Sequence, residues 1–339
     1  MKKILISLVA VLLMGGKSYA QTQIATLTHG ETVTYFYGDS AFVWAHDAAV
    51  HGDEVLLSSG TFVTLSITKA ISVRGAGMEE DSLTAITPTI LRNTCYINIP
   101  DPGEHFLQME GICFQNDFYF GLSYTTNQPK FMNCQFRSNL YLLTEYGQTV
   151  NVNDALFIHC KIASGLRKDR DNNSYNATAT ATFINCVLGG ITTNEAPNVF
   201  YTLRNCIINV DPRYMCNSNL SNCIINSTVT NNSFPESTYL SNCVCQSEKA
   251  FSNSMNATNK VAAMADLFEG YGGTIYTPTF NYKLKETAAT TYLGTDGTQV
   301  GIWGGSLPFN AIPNGPRVKK LVVGNQQADG KLKVTVEVK

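Results

Sequence analysis

Phe131-Met132-Asn133-Cys134-Gln135-Phe136 reads apolar, any residue, Asn, Cys, any residue, apolar. The same phrase returns as Phe183-Ile184-Asn185-Cys186-Val187-Leu188, Leu203-Arg204-Asn205-Cys206-Ile207-Ile208, Leu220-Ser221-Asn222-Cys223-Ile224-Ile225 and Leu240-Ser241-Asn242-Cys243-Val244-Cys245. Phe157-Ile158-His159-Cys160-Lys161-Ile162 fits with His in place of Asn. By subtraction, the cysteines at 134, 160, 186, 206, 223 and 243 lie 26, 26, 20, 17 and 20 residues apart. A phrase that recurs about every 20 residues and tolerates insertions is the signature of a solenoid, in which each repeat buries its apolar face only by stacking on its neighbours.

The phrase itself describes two short strands around a corner. Phe183 and Asn185 share a face, as do Cys186 and Leu188, but the alternation changes phase between Asn and Cys, so the chain bends there. Asn is one of the few residues that tolerates the left-handed backbone region such a corner needs. Stacked at equivalent corners, the amides are expected to hydrogen-bond along the stack. Each Cys then opens the next strand pointing inward, where a free thiol behaves as a small apolar group. The chain has 10 cysteines, an even number that also fits a disulfide or zinc framework. There is no Cys-x-x-Cys, however, and neighbours in a column of repeated cysteines need not have bridge geometry. Free, buried thiols are therefore expected, with Cys95, Cys113, Cys216 and Cys245 outside the phrase as the candidate exceptions.

Around this core the chain divides readily. Residues 1–20 read as an export signal: Lys2 and Lys3, an apolar run from Ile4 to Met14, and the small-residue site Ser18-Tyr19-Ala20. That run is too short to span a bilayer, no later segment reads as transmembrane, and no Cys follows the cut to carry a lipid. Cleavage removes three lysines, leaving 21 basic against 26 acidic residues, a charge of −5 that argues against a nucleic-acid partner. Residues 21–52 are expected to form a first strand and a helix from Ala41 to Val50 that covers the solenoid's end, and 53–305 to form the solenoid itself. His46 and His51 lie on or beside that helix; no carboxylate or third His keeps register with them, so they are read as surface or capping residues. A short helix is expected within 259–268 and a strand within 277–284. Residues 306–316, with Pro308, Pro313 and Pro316, form a linker, and 317–339 a β-hairpin about Asp329-Gly330. A lone hairpin is marginal, so it should pack on a solenoid end or meet a partner chain.

Gly52-Asp53-Glu54-Val55-Leu56-Leu57 with Gly60-Thr61-Phe62, followed by Ile71-Ser72-Val73-Arg74-Gly75-Ala76-Gly77, resembles the first coil of the right-handed parallel β-helix proteins, the secreted bacterial pectate-lyase-like superfamily. The Asn-Cys coils resemble the later coils of that family, and Gly294-Thr295-Asp296-Gly297 with Val300-Gly301-Ile302-Trp303-Gly304-Gly305 resembles its Gly-rich endings. The resemblance spans residues 40–305 and implies an all-β, right-handed parallel β-helix of about 10 coils with an N-terminal helical cap. It does not carry an activity, since one fold hosts many. Members that hydrolyse pectin carry Asn-Thr-Asp, Asp-Asp, Gly-His-Gly and Arg-Ile-Lys elements, and none of these occurs here.

No nucleophile motif or phosphate loop is present either, and the five histidines, at 29, 46, 51, 105 and 159, are scattered. No catalytic residue, metal ligand or cofactor is therefore assigned. Binding is better supported. Within 117–123, Phe118, Phe120 and Leu122 face in and Tyr119 faces out; within 140–145, Leu140 and Leu142 face in, and Tyr141, Leu143 and Glu145 face out. Tyr119 and Tyr141 are thus expected as neighbours on one sheet, where aromatic rings can stack on sugars. The charged run Arg167, Lys168, Asp169, Arg170, Asp171 falls in a long gap and is expected as a loop beside them. The candidate ligand-binding set is Tyr119, Tyr141, Glu145, Arg167, Asp169 and Arg170. The expected function is that of an exported, non-catalytic protein contacting polysaccharide at the cell surface or in the periplasm. The alternatives are a polysaccharide lyase or glycoside hydrolase with an atypical site, and a structural or adhesive module.

Overall fold

A computed structural model of the chain describes residues 23–338, except 82–85, 121–122, 144–149, 169–176, 193–197, 228, 230, 254–257, 275–279, 314–317 and 327–331. The segment 1–20, expected as an export signal, and the tip of the C-terminal hairpin lie outside the described residues. The chain winds as an all-β solenoid with three sheets running along it, here called A, B and C, of 12, 10 and 6 strands. Coil-to-coil pairing is parallel throughout; for example, Phe131 pairs with Phe157, Phe157 with Phe183 and Phe183 with Leu203. Each coil contributes a strand to sheet A and turns a corner into sheet B, through the Asn-Cys or His-Cys phrase from residue 133 on, and the first six coils turn again into sheet C. None of the described helices is long and apolar enough to cross a membrane.

The corner takes the expected backbone conformation. Asn133, His159, Asn185, Asn205, Asn222 and Asn242 all have positive φ, between 50 and 57°. The cysteines after them point inward and are all fully buried and free. Their thiols lie along carbonyls of the preceding coil, as Cys186 Sγ does to Phe157 O at 3.4 Å and Cys206 Sγ to Phe183 O at 3.4 Å. Burial raises the thiol pKa of Cys160, Cys186, Cys206, Cys223 and Cys243 well above the usual value, so these are inert groups rather than nucleophiles. Cys95, Cys113, Cys216 and Cys245 are free as well. Inside sheet A the phenyl rings stack from coil to coil: Phe131 on Phe157 at 5.1 Å and Phe157 on Phe183 at 4.7 Å.

Helix α1 (Ala41–Ala48) closes the N-terminal end, burying Ala41, Phe42, Ala45 and His46. An antiparallel pair, Ile24–His29 with Thr32–Tyr37, extends sheet A beyond the first coil. His46 is a buried fastener rather than a surface residue: its Nε2 accepts Thr68 N–H at 3.1 Å, while His51 Nδ1 accepts Ala70 N–H at 2.9 Å. Both imidazoles thus spend a ring nitrogen on the backbone of the first coil.

The C-terminal third departs from the sequence expectation. The last strand of sheet B is Lys260–Val261, and the chain then turns back to cover that sheet's outer face. Helices α2 (Met264–Leu267) and α3 (Glu286–Thr291), with Phe268, Tyr282, Leu284, Val300, Ile302 and Phe309, build a second apolar core on Val187, Ile207, Ile224 and Val244. The helix expected within 259–268 is the four-residue α2; of the strand expected at 277–284, the described part makes only an isolated bridge, Leu284 to Phe268. The physical reason is visible in pairs such as Val187-Leu188 and Ile207-Ile208, where both residues are buried: a sheet with two apolar faces must be covered on both.

Past α3 the chain becomes a strap running back along the corner. Asn242 Nδ2 donates to Leu293 O at 3.1 Å, Thr295 N to Asn222 Oδ1 at 3.0 Å, and Asn185 Nδ2 to both Ile302 O at 2.7 Å and Gly304 O at 2.8 Å. His159 Nε2 lies 3.0 Å from Leu307 O, and Asn133 Nδ2 donates to Ile312 O at 3.5 Å. The expected hydrogen bonding along the stack exists only in part, between Asn222 and Asn205 at 3.4 Å and between His159 and Asn133 at 3.2 Å. The same column also holds the strap. Its end passes over Gly111, where φ is +66° and a Cβ would sit 2.5 Å from Pro313 Cγ, so this corner carries no side chain at all. The C-terminal hairpin, Val318–Gln326 with Leu332–Val338, forms a separate antiparallel pair.

Candidate functional site

Sheet C carries the site. Its strands place apolar residues inward at every second position, as in Cys95-Tyr96-Ile97, Phe118-Tyr119-Phe120 and Leu140-Tyr141-Leu142, whose flanking residues are buried and whose central tyrosines are half-buried on the outer face. Parallel pairing sets Tyr96 against Tyr119 and Tyr119 against Tyr141. Tyr119 and Tyr141 lie 4.3 Å apart with planes 4° from parallel, and Tyr96 and Tyr119 lie 5.1 Å apart at 18°. Both faces of Tyr119 are thereby covered. What the ladder offers to solvent is ring edges and hydroxyls, so a sugar cannot stack on the middle ring in the way the sequence analysis expected of Tyr119.

At the foot of the ladder, Asp117 organises a polar network. Its Oδ1 accepts from Ser138 Oγ, from Asn139 N at 3.0 Å and from Asn139 Nδ2 at 3.1 Å, and its Oδ2 lies 3.4 Å from the Tyr119 hydroxyl. Partial burial, then the neighbouring Tyr141 and Asp117, raise the Tyr119 phenol above its ordinary pKa, so the ring stays neutral and keeps its O–H donor. The site is thus an uncharged ladder over a carboxylate whose first oxygen is fully engaged.

Of the six residues singled out in the sequence, the structure brings Tyr119 and Tyr141 together. Arg167 follows in register: Tyr141 pairs with Arg167. Arg167 lies on the strand Gly165–Lys168 rather than in a loop; Leu166 continues the column of buried residues, so the solenoid's period-two pattern runs one step further into the charged run than the sequence analysis placed it. Glu145, Asp169 and Arg170 lie outside the described residues. Leu143, expected outward, is buried where the register shifts between Tyr141 and Leu143. Tyr96 was missed. Its signal lies in the sequence: Cys95-Tyr96-Ile97 has the same apolar-Tyr-apolar form as Phe118-Tyr119-Phe120 and Leu140-Tyr141-Leu142.

No family model matches the chain, and no curated protein or solved structure is significantly similar to it. What fold and site define together is a class: a parallel β-solenoid with a tyrosine ladder on one outer face.

Proposed function

We propose that this is an exported, non-catalytic β-solenoid that contacts polysaccharide at the cell surface or in the periplasm. The observation that carries the reading is the ladder Tyr96–Tyr119–Tyr141, three rigid rings aligned coil on coil, with the Tyr119 hydroxyl reaching the Asp117 network. Tyrosine supplies large, partly polar contact area at little entropic cost, which suits a ligand covered in hydroxyls. The same reading places the chain beside the right-handed, pectate-lyase-like solenoids, on the first-coil and Asn-Cys resemblance and on the strong preference of parallel crossovers for the right hand. A nucleophilic role for the column thiols is disfavoured by their burial and raised pKa.

The test is a glycan array probed with the signal-free chain and with a Tyr96→Ala/Tyr119→Ala/Tyr141→Ala variant, each checked for folding by circular dichroism. Binding lost in the folded variant supports the reading. Binding to no glycan, or equal binding by both proteins, refutes it; release of reducing ends or unsaturated products from the same panel would move the protein to the lyase or hydrolase alternative.

A further inference from the structure

The ladder is part of a longer column. Parallel register sets Ser66 against Tyr96, Tyr96 against Tyr119, Tyr119 against Tyr141, Tyr141 against Arg167, and Arg167 against Thr192. Every one of these six positions holds a residue type with a hydrogen-bonding group, and adjacent positions are one strand spacing apart, about 4.8 Å. The centroid separations of 5.1 and 4.3 Å scatter around that spacing. Because the rings lie face to face, the three tyrosines present a periodic row of polar edges, and the backbone register carries the column on through Ser66, Arg167 and Thr192.

We infer that this column is a rail matched to an extended, neutral, equatorially linked polysaccharide lying along the solenoid axis, a proposal that rests on the carbohydrate reading above. In an extended β-1,4-linked chain each pyranose advances by close to one strand spacing and is flipped by about half a turn relative to the last, so a hydroxyl-bearing edge meets every coil and the same edge returns at every second one. An α-1,4-linked chain curls and keeps no such register. At the central rung the sugar is neutral, because Asp117 Oδ2 accepts from the Tyr119 hydroxyl at 3.4 Å and repels a carboxylated sugar there. Sugar and strand repeats differ slightly, so the match drifts and the gain in affinity stops near the length of the column.

The experiment titrates the full signal-free chain, by calorimetry, with β-1,4-linked gluco- and manno-oligosaccharides of two to eight sugars and with α-1,4-linked gluco-oligosaccharides of the same lengths. Affinity is expected to rise by roughly two- to tenfold per added β-linked sugar, the worth of one net hydrogen bond, and to level off near about six. Tyr119→Phe removes the hydroxyl but keeps the ring, and should weaken the six-sugar ligand by a similar factor at an unchanged melting temperature; Tyr96→Phe should do the same. Binding that ignores length, that treats the α-linked series equally, or that survives both Phe variants overturns the rail and leaves carbohydrate binding standing. Binding of no glycan of any kind overturns both.

Discussion

Asn185 joins the strap to the solenoid through two short hydrogen bonds, and replacing it separates two contributions. The side chain is 1 % exposed, has φ +50°, and donates to Ile302 O at 2.7 Å and Gly304 O at 2.8 Å. In Asn185→Ala both carbonyls lose their donor, at roughly 1–3 kcal/mol each if they stay buried. Alanine also meets the left-handed backbone penalty of about 1–2 kcal/mol. The expected loss is therefore about 3–8 kcal/mol. In Asn185→Gly the backbone penalty is replaced by the smaller entropic cost of glycine, about 0.5–1 kcal/mol, so this variant should be the more stable of the two. Urea unfolding read by circular dichroism gives the totals. Trp303, on the strap with its Nε1 donating to Asn281 O at 3.0 Å, gives the local event, read by fluorescence in a Trp44→Phe background. In both variants the Trp303 transition should move to lower urea than that of the sheets. If Asn185→Gly unfolds within about 1 kcal/mol of the parent and Trp303 reports no earlier release, the Asn column does not hold the strap, and the account of the second half of the fold is wrong.

Three further outcomes follow from the same geometry. Phe157 stacks between Phe131 and Phe183 at 5.1 and 4.7 Å, so Phe157→Ala should cost about 3–5 kcal/mol in urea unfolding and Phe157→Leu clearly less. His46, buried and beside Lys69, has its pKa lowered from 6.5 to about 4, with Asp47 the opposing charge. The unfolded chain then takes the proton more readily: the neutral ring's contribution is whole above pH 6.5 and drains away as pH falls through about 4, reaching roughly 3 kcal/mol. Melting temperature against pH should show that slope in the parent and not in His46→Gln. Last, the column thiols should resist an aromatic disulfide reagent in the native state and react only on unfolding, with the partly exposed Cys216 labelled first. Rapid native labelling of Cys186 or Cys206 would contradict their burial.

Much of this protein can be read locally. The left-handed corner at Asn, the inward Cys and the alternation in Phe118-Tyr119-Phe120 each depend on a few neighbouring residues, and each took the form the sequence implied. Repetition then forces stacking, because one coil alone cannot bury its own apolar face. The sequence by itself therefore determined the solenoid, its corner column and the pairing of Tyr119 with Tyr141. Only tertiary structure decided that the ladder's rings face one another instead of solvent, because that depends on coil-to-coil register and side-chain orientation. It also decided that the Gly-rich ending leaves the solenoid to strap the Asn column, with Asn185 reaching Ile302 across 117 positions of chain. Contacts that distant leave no period in the sequence. Their only trace was the doubled apolar pairs such as Ile207-Ile208, whose second buried face required a cover that the repeat could not supply.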